Sequence, residues 1–160
     1  MLRLSKKADY ALIAMKHLAR RQSGAPSTSA REIAELYGIP IELMAKVLQR
    51  LVRTGLLVST QGTRGGDTLS RAAHSISVAD VIQAIDGPLT VTACSTEKND
   101  CEQYTRCNIR DSLWQIRERI TMALGTVSVA DMAADAGDVA PAAVAAPVAV
   151  MRRSKAGAVL

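Results

Sequence analysis

Apolar residues recur at helical spacing near the start of the chain, where Leu4, Ala8, Ala11, Leu12, Met15, Leu18 and Ala19 share one stripe. This predicts a first helix from Ser5 to Gln22, ended by Ser23-Gly24-Ala25-Pro26. A second helix opens with Ser29-Ala30-Arg31-Glu32, a capping box in which Ser29 takes the backbone donor of Glu32 and Glu32 reaches back. Gly38 closes it, because a residue without a Cβ adopts the left-handed turn that satisfies the last carbonyls. Pro40 suits the first turn of a third helix, along which Met44, Val47, Leu48, Leu51 and Val52 repeat until Thr54-Gly55. Two short helices joined so tightly form a helix-turn-helix.

Beyond it, Leu56-Leu57-Val58-Ser59 is β-prone, Gln61 to Asp67 is rich in turn residues, and Thr68-Leu69-Ser70 can return as a second strand. That is a hairpin with a basic tip. Ser77-Val78-Ala79-Asp80 starts another capped helix, with Val78, Val81, Ile82 and Ile85 inward and Asp86-Gly87-Pro88 as its stop. The same four residues recur at Ser128 to Asp131, a shared way of starting a helix rather than a domain repeat. The polar stretch from Cys94 to Cys107 has no helical period and reads as a loop. After it, Leu113, Ile116, Ile120, Ala123 and Val127 form a short heptad-like seam suited to pairing with another helix, such as that of a second copy. From Ala133 the chain is mostly Ala, Val, Pro and Gly and reads as a disordered tail.

The expected fold is therefore mainly α: a winged helix-turn-helix with a small β-hairpin wing and a C-terminal dimerisation helix. The expected divisions are a DNA-binding unit over 1–90, a cysteine loop and dimerisation helix over 91–132, and the tail over 133–160.

Composition narrows the function. Hydrophobic residues make up 48% of the chain but aromatics only 2%, so the core rests on aliphatic side chains and methionine. That shortage also argues against single-strand binding, which stacks bases on aromatic rings. The net charge of +5 lies wholly within residues 1–93, which suits a polyanion. His17 and His74, the only histidines, are far apart, and neither glycine-rich phosphate motif occurs, so nothing supports an enzyme or a small-molecule substrate. Asp9 and Lys16 interrupt the first apolar stretch, and Pro141 and Pro147 break the apolar run from Val139 to Met151. A cytoplasmic protein without a membrane partner is expected.

In a winged helix-turn-helix the second helix enters the major groove of duplex DNA. Here it offers Glu42, Ala45, Lys46, Gln49, Arg50 and Arg53 opposite its apolar stripe, with Ser29 at the start of the unit. Arginine and lysine suit phosphate or guanine O6 and N7, glutamine suits adenine, and glutamate accepts from cytosine N4. Taken alone, these residues equally describe a solvated face. The adjoining wing, where Gln61, Thr63 and Arg64 stand among glycines that permit close backbone approach to a groove, turns the reading toward DNA. Asp67 would be repelled by phosphate and is expected to point away.

Cys94, Cys101 and Cys107 are spaced Cys-x6-Cys-x5-Cys on a polar loop. In a reducing compartment such thiols are metal ligands, a redox switch, or three unconnected side chains. A zinc site lacks its usual Cys-x-x-Cys knuckle, and an iron–sulfur cluster would need a fourth ligand from elsewhere.

Leu4-Ser5-Lys6, Asp9-Tyr10-Ala11-Leu12, the helix-turn-helix, Thr54-Gly55-Leu56-Leu57, the glycine-rich wing, Ile76 to Ile82, Ile85-Asp86-Gly87-Pro88 and the three cysteines together resemble the IscR, NsrR and SUF-regulator group. The cysteine spacing is most similar to the regulators of SUF iron–sulfur assembly operons. The resemblance covers residues 1–132 and implies a homodimeric winged-helix repressor that senses iron–sulfur status and controls cluster-assembly genes. It implies Cys94, Cys101 and Cys107 as ligands of a 2Fe-2S or 4Fe-4S cluster. Asp9 matches a carboxylate that completes the NsrR-type site from the partner subunit, and equally suits a helix N-terminus. Arg110 replaces the histidine ligand of the IscR branch, Gln61 stands where that branch has a minor-groove arginine, and Asp67 replaces a tyrosine common after the two wing glycines. The rival readings are a nitric-oxide or thiol-redox responsive repressor of the same fold and a small iron–sulfur electron carrier.

Overall fold

The computed structural model describes residues 4–21, 27–62, 65–91 and 101–134. Among these described residues, six helices and one hairpin follow in the order α1 (Lys6–Arg20), α2 (Ala30–Tyr37), α3 (Ile41–Arg53), β1 (Leu57–Thr60), β2 (Gly66–Leu69), a 3-10 turn at Ala73–Ser75, α4 (Val78–Asp86), α5 (Arg110–Thr126) and α6 (Val129–Ala134). This is the expected mainly helical winged fold.

Helix α1 lies at its centre, touching α3, α4, α6 and β2. Three of its fully buried residues, Ala8, Ala11 and Ala14, are small enough to let neighbouring helices approach closely, while Met15 fills the space between them. Ser5 caps it, accepting from the Ala8 amide at 3.1 Å. The carboxylate of Asp86, at the end of α4, in turn accepts from the Ser5 amide at 3.1 Å and from its hydroxyl at 2.5 Å. One serine thus joins the start of α1 to the end of α4.

The capping boxes expected at Ser29 and Ser77 are both formed, and Gly38 ends α2 at φ 65°. Pro40 departs by one position: it is the N-cap of α3 rather than part of its first turn. Met44, Val47, Leu48 and Leu51 are buried and, with Met15, Ile33, Ile76, Val81 and Val129, make the aliphatic core.

The hairpin is antiparallel, with Leu57 opposite Leu69 and Thr60 opposite Gly66. Its return strand starts at Gly66, within the stretch expected to be turn. The reason is a third partner: Thr28, just before α2, pairs with Asp67 through amide-to-carbonyl bonds of 2.9 and 3.3 Å. Gly66 is needed for this pairing, since a Cβ there would stand 2.6 Å from the Thr28 carbonyl carbon. A Cβ at Gly65 would meet the Thr60 carbonyl oxygen. The wing glycines at 65 and 66 therefore serve approach within the chain, a different use from the groove contact expected of them.

Helix α6 extends the packed unit beyond the seam helix. The two Ser-Val-Ala-Asp segments lie side by side, the Val78 amide donating to Val127 O at 2.9 Å and the Val129 amide to Ile76 O at 2.8 Å. Val129 is fully buried, and Arg20 Nε donates to Ala133 O at 3.2 Å. Ala133 and Ala134 thus close α6 rather than begin a tail, and the remainder of the expected tail lies outside the described residues. No helix among the described residues is long and apolar enough to cross a membrane.

Candidate nucleic-acid interface and cysteine loop

Amphipathic α3 buries its aliphatic stripe and leaves Glu42, Lys46, Gln49, Arg50 and Arg53 exposed, with Ala45 half-buried between them. The expected mixed polar and basic face therefore exists as a surface. Arg50 is the exception in detail. Its Nε donates to Ala84 O at 2.9 Å, fastening α3 to the last turn of α4 and fixing where the guanidinium can reach. A spacing of 34 residues between donor and acceptor left no local signal for this bond.

Ser29 is also committed: it takes the Glu32 amide at 3.2 Å and gives its own amide and hydroxyl to the Glu32 carboxylate at 2.7 and 3.0 Å. These bonds hold the Glu32 carboxyl below the ordinary carboxylate range, the Ser29 amide contributing most. Gln61 is exposed at the end of β1, and Thr63 and Arg64 lie outside the described residues. Asp67 is largely buried and lines the cleft between α3 and the wing with Ala30, Ala45, Gln49, Arg53 and Ser59. Burial pushes its carboxyl up from the ordinary value, opposed by a hydrogen bond with Ser59.

Cys101 and Cys107 are free, half-buried thiols at either end of one run of turns, in which the Tyr104 amide donates to Cys101 O at 3.0 Å. Arg110 clamps this run: its guanidinium lies 4.7 Å from the Tyr104 ring centroid, and Nη1 donates to Tyr104 O at 3.4 Å. Its Nε donates to Asp111 at 3.0 Å, a contact that raises the guanidinium's already high pKa. Arg110 thus remains a cation and supplies no lone pair to a metal. Cys94 lies outside the described residues, Asp9 is exposed in the first turn of α1, and no group of three potential metal ligands forms among the described residues.

Along α5, Arg117, Thr121 and Leu124 face Ala79, Ile82 and Gln83 of α4. The seam falls beside that stripe. Leu113 and Ile120 are half-buried, whereas Ile116, Ala123 and Val127 are exposed, and no residue of α5 is fully buried. The seam residues therefore share an accessible strip of the single chain.

Residues 4–135 match the Rrf2 family model, described as iron-dependent transcriptional regulators. The chain is 36% identical over 132 residues to the HTH-type transcriptional regulator IscR of Xenorhabdus nematophila, covering 82% of this chain and 79% of that protein. It is 31% identical over 133 residues to the HTH-type transcriptional repressor NsrR of Streptomyces coelicolor, covering 83% and 89%. Among solved structures, it resembles CymR, the global cysteine regulator of B. subtilis, with a TM-score of 0.65 at 28% identity, covering 83% of this chain and 97% of that one. The IscR of T. potens superposes with a TM-score of 0.63 at 27% identity, covering 82% and 85%. These relatives are regulators of transcription, not enzymes. The chain belongs to the Rrf2 family of transcriptional regulators.

Proposed function

We propose that this regulator is a homodimeric repressor in which an iron–sulfur cluster held by Cys94, Cys101 and Cys107 controls operator binding. Helix α3 enters the major groove with Glu42, Ala45, Lys46, Gln49 and Arg53 toward base edges and phosphates, and Arg50, anchored on Ala84, gives a fixed phosphate contact. Gln61, Thr63 and Arg64 of the wing reach the adjoining groove, and Ser29 presents the start of α2 to the backbone. Leu113, Ile116, Ile120, Ala123 and Val127 pair α5 with its copy. The regulated genes are those of cluster assembly, the reading that the cysteine spacing favours.

The donor chemistry fits such a cluster. Thiolates are its usual ligands, and Arg110 sets a positive charge beside the turn that carries Cys101 and Cys107. When bound, the cluster supplies a link among three thiolates that iron shortage, oxidants or nitric oxide can break. Asp9 of the partner subunit is the proposed fourth donor.

The observation that carries the coupling is the position of α5. Its first residue, Arg110, stands three positions after Cys107, and its C-cap Val127 accepts from the start of α4 just before the chain continues into α6 against α1. Ordering the cysteine turn therefore biases a rigid rod whose far end is part of the DNA-binding unit. Half-sites lie about 34 Å apart, so a modest change in the spacing of two α3 helices alters affinity. Couplings of this kind are about 1–3 kcal/mol.

The test is Cys101→Ala and Cys107→Ala in anaerobically purified protein. Loss of iron and acid-labile sulfide with an unchanged helical spectrum is the expected result. Stoichiometric cluster retained in both variants, or none in the wild type, would remove the cluster from this account.

A further inference from the structure

A cleft of about 300 Å³ opens between α1 and α3, beside the end of α4. Leu43, Val47 and Ile85 supply its apolar lining, and Lys7, Lys46, Arg50 and Arg53 bring four cations to it, with Gln49 as a neutral donor and acceptor. Among the described residues, no carboxylate lines it. Like charges gathered round one hollow repel one another unless an anion occupies it. Asp86, next to Ile85 in the chain, is not among the residues that line the cleft, and its carboxylate accepts from the Ser5 amide and hydroxyl.

The four cations come from two elements, Lys7 from α1 and Lys46, Arg50 and Arg53 from α3. Lys7 is in the first turn of α1, outside the helix-turn-helix and outside every residue expected to meet DNA. Arg50 is fixed through Nε on Ala84 O, which leaves the hydrogens on its two Nη atoms for a ligand. Lys46 and Arg53 are exposed on the surface of α3 that also carries Gln49. A tetrahedral oxyanion with several acceptor oxygens matches this arrangement, and long DNA presents such groups along the same face of α3.

We infer that this cleft seats one phosphodiester group of the DNA backbone, and that Lys7 is a DNA-contacting residue that fixes how α3 sits in the groove. The inference rests on the DNA-binding reading above and adds to it an element, α1, that the helix-turn-helix pattern does not include. Phosphate contacts carry no sequence information, so Lys7 sets register and orientation while α3 and the wing read bases.

The experiment is fluorescence anisotropy of two labelled duplexes, one from the DNA upstream of the protein's own gene and one of scrambled sequence, titrated with full-length protein across a series of salt concentrations. Lys7→Gln is compared with wild type and with Lys6→Gln, whose parent residue is exposed on the same turn but does not line the cleft. Each neutralised phosphate contributes about 0.9 to the slope of log affinity against log salt. Because a dimer seats one such phosphate in each copy, Lys7→Gln is expected to reduce that slope by about 1.8 and to weaken both duplexes by the same factor, while Lys6→Gln leaves the slope unchanged. An unchanged slope in Lys7→Gln, or an equal loss in Lys6→Gln, overturns the inference while leaving DNA binding by α3 intact. Inorganic phosphate is titrated in parallel. Saturable binding that depends on Lys7, combined with an unchanged duplex slope, would make the cleft a small-anion site and overturn the assignment to DNA. Wild-type protein that binds neither duplex would overturn both the inference and the reading beneath it.

Discussion

Replacing Gly66 by alanine tests how the wing is attached. The added methyl would stand 2.6 Å from both the carbonyl carbon and oxygen of Thr28 and 2.9 Å from its nitrogen, all backbone atoms that no rotamer change can clear. The strand must therefore move away from Thr28. Doing so breaks the two bonds between Thr28 and Asp67, each worth about 0.5–1.5 kcal/mol net. The expected destabilisation is about 1–3 kcal/mol, because the bonds are lost while relief of the clash returns no new contact. Urea unfolding followed by circular dichroism measures this, and amide hydrogen exchange at Thr28 and Asp67 locates it. Because the same pairing sets the wing against the start of α2, duplex affinity should fall as well. A stability within 0.5 kcal/mol of wild type, with the Thr28 amide still protected, would refute the claim that Gly66 is required for close approach inside the chain.

Other substitutions probe neighbouring links. Val129→Ala removes two methyl groups from a fully buried site and should cost about 2 kcal/mol in urea unfolding, loosening α6 from α1; a change below 0.5 kcal/mol would show that α6 is not part of the core. Gly125 lies in α5 with open space where a Cβ would go, so Gly125→Ala should stabilise the chain by up to about 1 kcal/mol, read as a higher denaturant midpoint. His17 is held below its ordinary value of 6.5 by burial and then by Arg21, with Glu32 opposing. Its folded pKa is therefore the lower one, and the stability it contributes is complete above pH 6.5 and is lost as pH falls through the folded value. Denaturant midpoints between pH 7.5 and 5 should fall more steeply in wild type than in His17→Leu; parallel curves would contradict this.

Much of the fold is legible in short stretches of sequence because its determinants are local. Ser29 with Glu32 and Ser77 with Asp80 span three residues each, Gly38 acts within one turn, and the stripe of α3 needs only its own periodicity. What periodicity cannot convey is where elements meet. Asp86 on Ser5, Arg20 on Ala133 and Arg50 on Ala84 join residues 81, 113 and 34 positions apart. None has a pattern that marks it in advance. The repeated Ser-Val-Ala-Asp shows the division well: each copy announces its own helix start, but nothing in either says that the two starts pair through Val78 and Val129. The wing glycines were open to two uses for the same reason, since a missing Cβ permits close approach without naming what approaches. Lys7 was invisible as a candidate for DNA because α1 carries the core stripe, and its closeness to Lys46 and Arg53 exists only once α1 and α3 are packed.

In the proposed mechanism, the state of the cysteine turn changes how two copies of α3 meet DNA. This is tested most directly by measuring affinity for the upstream duplex at one fixed salt concentration, with metal-free protein and with the same preparation reconstituted anaerobically with iron and sulfide. Binding is expected to be tighter after reconstitution by about 5- to 150-fold, the range set by a coupling of about 1–3 kcal/mol. Equal affinity of the two forms, with the cluster verified by iron and sulfide analysis, would contradict it.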